Sequence, residues 1–164
     1  MKATPDISLV KVNTTTSELE LPSNPGTVNP YDEYTIEECI RLRERFGGKC
    51  AVLCVGSDKS EVALRECLAL GVDEAYLAVD PLFDGSDSQA TAKVLSAALK
   101  KIGDYTIVLS GKQSADFESS QTPAALAVLS GNPGINSVKK IEDIKDNTVS
   151  VRRATDSGYE VVEA

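Results

Sequence analysis

The chain has 164 residues, with 17 Lys and Arg against 25 Asp and Glu and a formal net charge of −8. That length is expected to fold as one domain with a sizeable core, and the acid excess argues against a surface built for nucleic-acid phosphates. There is no histidine, which excludes Ser–His–Asp and Cys–His nucleophile systems, histidine metal sites and histidine acid–base work.

No stretch approaches the ~20 consecutive apolar residues of a membrane span, and the opening MKATPDISLV has no apolar core of a signal peptide. Residues 1–28 read as an irregular, partly extended lead-in. Within it Ile7–Val12 suggests a short strand, Thr14–Ser17 a turn and Leu19–Leu21 a return strand, before Pro22, Pro25 and Gly26 break the pattern. A helix opens at Asn29, where Asn suits the N-cap, Pro30 the first helical position and Asp32 the positive end of the helix dipole. Ile36, Cys39, Ile40 and Phe46 share its inward face, and Gly47-Gly48 ends it.

From Lys49 to Val55 a nearly continuous apolar run predicts a buried parallel strand. A helix over 59–70 follows, with Val62, Ala63, Cys67 and Leu70 inward and Gly71 closing it. Ala75–Val79 reads as the next strand, and 80–87 as a loop. Ser88–Ile102 reads as a helix with Val94, Leu95, Ala98 and Ile102 on one side, and Tyr105–Ser110 as a third apolar strand. After a polar loop, Thr122-Pro123 opens a helix that ends at Gly131. Beyond residue 135 the pattern changes to short strands around 141–144, 148–151 and 159–162, with hairpin turns at Asp146-Asn147 and Asp156–Gly158. The expected fold is therefore α/β: a mostly parallel sheet with helices on both faces over 29–134, followed by a small antiparallel β-meander over 135–164.

In such a sheet, ligands bind beyond the carboxyl ends of the strands. Those ends are Val55-Gly56-Ser57, Val79-Asp80-Pro81 and Ser110-Gly111-Lys112-Gln113. The last continues into a loop of small and polar residues that reaches a helix start at Ser120-Gln121-Thr122, and helix N-termini hold phosphate through unpaired N–H groups. By local pattern alone, a solvated connection before a capped helix is the plainer reading. Cys39, Cys50, Cys54 and Cys67 are expected to be reduced, buried thiols without a metal. The scattered carboxylates form no acid pair. Neither a G-x-G-x-x-G nor a Walker A pattern occurs, and an S-G-G-x-D-S phosphate loop is also missing, which counts against an ATP-cleaving enzyme.

Several ordered segments together resemble the beta (small) subunit of electron-transfer flavoprotein. Asn29-Pro30-Tyr31-Asp32-Glu33 with Ile36-Glu37-Glu38 and Arg41-Leu42 looks like the family's helix start, and Ala69–Asp73 like its ALGAD turn. Gly85-Ser86-Asp87 with Ala90–Leu95 looks like the helix before its signature loop. Gly111-Lys112-Gln113, Asp116 and Gln121 match the GKQ…D…Q signature, and Val151–Arg153 and Gly158–Glu160 fit the tail. The resemblance implies an adenine-nucleotide-binding, Rossmann-like domain over 1–164. It implies AMP, or alternatively a second FAD as in electron-bifurcating members, in a non-catalytic subunit. An alpha subunit carries the redox FAD, and acyl-CoA or other dehydrogenases supply electrons that the pair passes to an acceptor. Neither nucleic acid nor membrane insertion is implied, and the compartment is the bacterial cytoplasm or the mitochondrial matrix.

The family's nucleotide contacts map to Asn29, Pro30, Tyr31 and Asp32, to Val55 and Gly56, and to the loop through Gly111, Lys112, Gln113, Asp116, Ser119, Ser120, Gln121 and Thr122. Ser120, Gln121 and Thr122 are then the expected phosphate ligands, with Val55 and Gly111 touching the nucleoside through backbone. An apolar first strand and a C-terminal arm of the family pattern are not found in the sequence, which is therefore expected to be trimmed at both ends. A stand-alone adenine-nucleotide-binding protein or enzyme of similar topology is the alternative, and it lacks a nucleophile, base or metal set near the strand ends.

Overall fold

A computed structural model describes residues 1–22 and 26–164, so the expected break at Pro25 lies outside the described residues. The apolar run becomes β5 (Ala51–Val55), which pairs in parallel with β6 (Glu74–Ala78), from Ala51 opposite Glu74 to Val55 opposite Ala78. The crossover between them carries a 3-10 turn at Asp58–Ser60 and the helix α2 (Glu61–Leu70). Gly71 ends α2 in the left-handed region at φ 112°, where a side chain is strained.

Alternation along β5 builds two cores. Val52 and Cys54 join Ala63, Leu64 and Cys67 of α2, together with Val28, Ile36 and Val72. Leu53 instead meets Ala92 and Leu99 of α3 (Ser88–Ile102) and Leu126 of α4 (Thr122–Ser130). The helices run where their sequence predicts, but their inward lines differ. In α2 Leu64 is buried, whereas Val62 and Leu70 are 50% and 57% exposed, because the helix packs along the 63–64–67 line. In α3 the most buried line is Ala92–Ser96–Leu99, with Val94, Leu95, Ala98 and Ile102 flanking it half-buried. Ser96 tolerates that place by donating to the Leu129 carbonyl oxygen at 3.4 Å.

The first helix, α1 (Pro30–Phe46), has its N-cap at Asn29 and ends at Gly47 as expected. Ile36 is buried, but Phe46 lies beyond the core, exposed and covered by the Arg45 guanidinium at 4.6 Å.

The lead-in differs more. Ile7–Leu9 forms a 3-10 turn rather than a strand, because Asp6 caps it by accepting from the Ser8 N–H. Only Lys11–Val12 (β2) is extended, and it pairs antiparallel with Leu19–Glu20 (β3) around the expected turn. The first residues do form a strand. Ala3–Thr4 (β1) pairs antiparallel with Thr27–Val28 (β4), and the backbone nitrogen of Met1 donates to the Leu53 carbonyl oxygen at 2.9 Å. The expected third strand, Tyr105–Ser110, is not paired with any strand among the described residues. Its side chains still alternate between half-buried and exposed, as in a strand. What it lacks is a ladder, since Met1–Thr4, which borders β5, pairs with β4 instead. The parallel sheet is accordingly two-stranded.

The tail is a three-stranded antiparallel meander, β7 (Val138–Lys145), β8 (Thr148–Thr155) and β9 (Gly158–Glu163). Its first turn is Asp146-Asn147 with φ of 51° and 62°, the left-handed pair that a tight hairpin needs.

Candidate functional site

The start of α1 is stitched to the Gly111 loop by two side chains from one helical turn. Asn29 is 1% exposed and Asp32 is 5% exposed. The Asn29 side chain does not cap its own helix. Its amide donates to Gln113 O at 2.9 Å and to Asp32 Oδ2 at 3.1 Å, and its Oδ1 accepts from the Ala115 N–H at 3.0 Å. Asp32 Oδ1 accepts from the Gly111 N–H at 2.9 Å, and Oδ2 accepts from the Lys2 N–H at 2.8 Å. A carboxylate with three donors, two of them backbone, is well compensated for burial. Asp32 is thus more than a helix-dipole acid: it binds the lead-in, α1 and the loop to one point.

Two glycines mark close approaches at the strand ends. A Cβ on Gly111 would stand 2.7 Å from Asp32 Oδ1 and 2.9 Å from the Tyr31 carbonyl carbon. A Cβ on Gly56 would stand 2.4 Å from the Ser60 hydroxyl. At Gly111 the neighbours include the Tyr31 backbone, so only a bare backbone fits, whereas at Gly56 the Ser60 side chain would have to move.

Beyond Gly111 the loop folds back toward α1. Gln113 Nε2 donates to the Tyr31 hydroxyl at 3.2 Å, and the Ser120 hydroxyl donates to Gln113 Oε1 at 3.2 Å. Asp116 accepts from Lys2 Nζ at 2.6 and 2.7 Å. Partial burial pushes the Asp116 carboxyl up, but the bonds from Lys2 and Ser114 and the Lys2 charge outweigh it and hold the group below its ordinary value. Glu118 and Ser120 take left-handed φ of 52° and 55° without being glycine, a cost the surrounding contacts must support.

The structure therefore brings Asn29, Tyr31, Asp32, Gly111, Gln113, Asp116 and Ser120 into one bonded assembly. Ser119 faces the Ser88 hydroxyl at 3.4 Å. Pro30 is the exposed first residue of α1, and Lys112 is exposed on the loop. Val55 and Gly56 sit at the end of β5, where the Gly56 N–H donates to the Ala78 carbonyl oxygen at 3.2 Å. Thr122 begins α4, and Gln121 occupies its N-cap position without a side-chain cap bond. Sequence reasoning missed Lys2, which holds both Asp32 and Asp116 from the far end of the chain. Nothing in the local pattern around Met1-Lys2-Ala3 marks it.

The cysteines lie in the α2–β5 core. Cys50, Cys54 and Cys67 are buried and free, and Cys39 is half-buried. Burial pushes the Cys50 thiol up to about 12, helped by a hydrogen bond with Cys39, and the Cys67 thiol up to about 11. Among the described residues no group of His, Cys, Asp and Glu side chains is arranged to hold a metal ion, and no helix is long and apolar enough to cross a membrane.

Fold and site define an α/β protein with a Gly-Lys-Gln loop tied down on the start of its first long helix. A family model described as "Electron transfer flavoprotein domain" matches residues 21–164. The electron transfer flavoprotein subunit beta of Thermoanaerobacterium thermosaccharolyticum is 41% identical over 163 residues, covering 99% of this chain and 62% of that protein. The protein FixA of Azotobacter vinelandii is 32% identical over 168 residues, covering 99% and 60%. The caffeyl-CoA reductase–Etf complex subunit CarD of Acetobacterium woodii is 34% identical over 163 residues, covering 99% and 62%. The chain spans about three fifths of the length of these curated relatives. The chain belongs to the electron transfer flavoprotein family, among its beta subunits.

Proposed function

We propose that this chain is the nucleotide-holding part of a non-catalytic electron transfer flavoprotein beta subunit. In this reading residues 1–164 form a single Rossmann-like adenine-nucleotide-binding domain, with a lead-in over 1–28, an α/β core over 29–134 and the meander over 135–164. The ligand is AMP, with FAD as the alternative. An alpha subunit carries the redox flavin, acyl-CoA or other dehydrogenases deliver electrons, and the protein works in the cytoplasm.

The observation that carries this reading is the Asn29–Asp32 knot, which presses the Gly111–Ala115 backbone onto the start of α1. The knot uses the polar atoms of Asn29 and Asp32 internally, so these residues shape the site rather than donate to a ligand. The start of α4 suits a phosphate: no side chain caps it, which leaves the N–H groups of Thr122 and Ala124, Pro123 having none, and the Thr122 hydroxyl for an anion. Lys112, exposed on the same loop, adds a cation. The missing side chain at Gly111 lets the loop backbone lie directly on Tyr31 and Asp32, which fixes the backbone against which a nucleoside would rest. A flavin, when bound in the complex, supplies the one- and two-electron chemistry; the residues here bind and orient.

The test is native purification followed by acid release and chromatography of the bound nucleotide. Near-stoichiometric AMP without flavin colour is expected, and co-expression with an alpha-type subunit should yield a yellow heterodimer. A chain that carries neither AMP nor FAD, alone or in the heterodimer, refutes the reading.

A further inference from the structure

Lys2 is attached at both of its ends. Its N–H donates to Asp32 Oδ2 at 2.8 Å, and its carbonyl oxygen accepts from the Asn29 N–H at 3.0 Å, so its backbone is anchored to the first turn of α1. Its ammonium then reaches across to the loop. It donates to both oxygens of Asp116, at 2.6 and 2.7 Å, and to the Ser114 hydroxyl at 3.4 Å. It also lies 4.7 Å from the centre of the Phe117 ring, an otherwise exposed aromatic. Asn29 and Asp32 fix the beginning of the loop, up to Ala115. Next come Asp116 and Phe117, and then the left-handed residues Glu118 and Ser120, which lead to the start of α4. Lys2 ties Ser114–Phe117 directly to the start of α1, whereas Ser120 reaches Tyr31 only through the Gln113 side chain. The Asp116 side chain is 17% exposed and the Lys2 side chain 40%, so the carboxylate is the shielded half of the pair.

We propose that Lys2 is a positioning residue of the ligand loop. It clamps Ser114–Phe117 to the start of α1 and thereby sets how long the site retains an adenine nucleotide. The retention half rests on the nucleotide reading above; the clamp itself does not. A preorganised loop spends no binding energy on ordering itself, so loosening the clamp shows first in the off-rate.

The experiment compares the full chain with Lys2→Gln, Lys2→Arg, Asp116→Asn and the Lys2→Gln/Asp116→Asn double variant. Amide exchange over 112–120 is read by mass spectrometry without nucleotide, with α2 and the meander as internal references. Lys2→Gln and Asp116→Asn should each speed exchange in the loop by roughly fivefold. The double variant should go no further than either single one, and Lys2→Arg should stay close to wild type. The AMP off-rate should rise by a similar factor in the same variants. Loop exchange in Lys2→Gln equal to wild type overturns the clamp, and faster exchange throughout the chain overturns it in favour of a general stability role. A wild-type chain that binds no AMP refutes the nucleotide reading and leaves the exchange result to decide the clamp. A chain that binds AMP with an unchanged off-rate in Lys2→Gln overturns the retention half.

Discussion

Replacing Asp32 by Asn separates a bonded knot from a simple helix-dipole acid. The change keeps shape and removes one acceptor and the charge. Asp32 Oδ2 serves the Lys2 N–H and the Asn29 amide, and Oδ1 serves the Gly111 N–H. An Asn side chain keeps its oxygen best on the two-donor side. Its NH2 then faces the Gly111 N–H, donor against donor, and leaves a buried backbone group unpaired. That group costs about 1–3 kcal/mol, and weakening two charge-assisted bonds adds about 0.5–1 kcal/mol each. A loss of about 3 kcal/mol is expected, a large share of a typical ~5–15 kcal/mol stability. In urea unfolding followed by circular dichroism, it lowers the midpoint by about 1.5 M at an ordinary slope near 2 kcal/mol/M. Glu33→Gln is the control, since Glu33 lies in the same first turn and is exposed; removing its dipole interaction costs about 0.3–1 kcal/mol at most. Equal, small shifts for Asp32→Asn and Glu33→Gln refute the knot and restore the dipole reading.

Gly111→Ala should destabilise the chain by about 2 kcal/mol or more and lower its AMP content, because the new Cβ meets Asp32 Oδ1 at 2.7 Å; thermal melting and nucleotide release check both. For acid stability, the Cys50 N–H and then Arg43 hold the Asp73 carboxylate below its ordinary value of 3.8. A depressed carboxylate contributes above its unfolded value and is lost as pH falls through the folded one, so the melting temperature should hold down to roughly pH 5 and drop below roughly pH 4, less steeply in Asp73→Asn. Burial first, and then the bond with Cys39, holds the Cys50 thiol up at about 12, so it stays protonated at pH 8. Thiol titration with a disulfide reagent should therefore label at most Cys39 quickly in the native chain and all four cysteines in urea; fast native labelling at Cys50 contradicts the burial. A Ser120/Gln121/Thr122 triple-alanine chain should lose AMP roughly tenfold more readily, since a hydrogen bond to a charged group is worth ~1.5–3 kcal/mol; unchanged AMP content moves the phosphate away from α4.

Local signals located the long helices and the paired apolar runs, though not the Asp6-capped turn at Ile7–Leu9. The cap and proline at Asn29-Pro30, the glycines at 47, 71 and 131 and the Thr122-Pro123 start locate the helix ends. The apolar runs locate β5 and β6, and the Asp146-Asn147 turn locates the first hairpin of the meander. The order of several segments together, from Asn29–Glu33 through Gly111–Gln121 to Gly158–Glu160, also pointed to the family. Ala63 and Cys67 of α2 were legible as inward, but the choice of Leu64 over Val62 and Leu70 was not, because these residues are equally apolar and only the placement of β4 and β6 chooses between them. Nor was the unpaired state of Tyr105–Ser110, since its apolar pattern satisfies a strand but pairing depends on a neighbour more than a hundred residues away. The same distance hid Lys2. An ion pair between positions 2 and 116 leaves no periodicity or composition signal, and it exists because folding brings the first residues and the start of α1 against the Gly111 loop. Residue types decided what each segment is able to form; packing decided which of their faces, edges and charges meet.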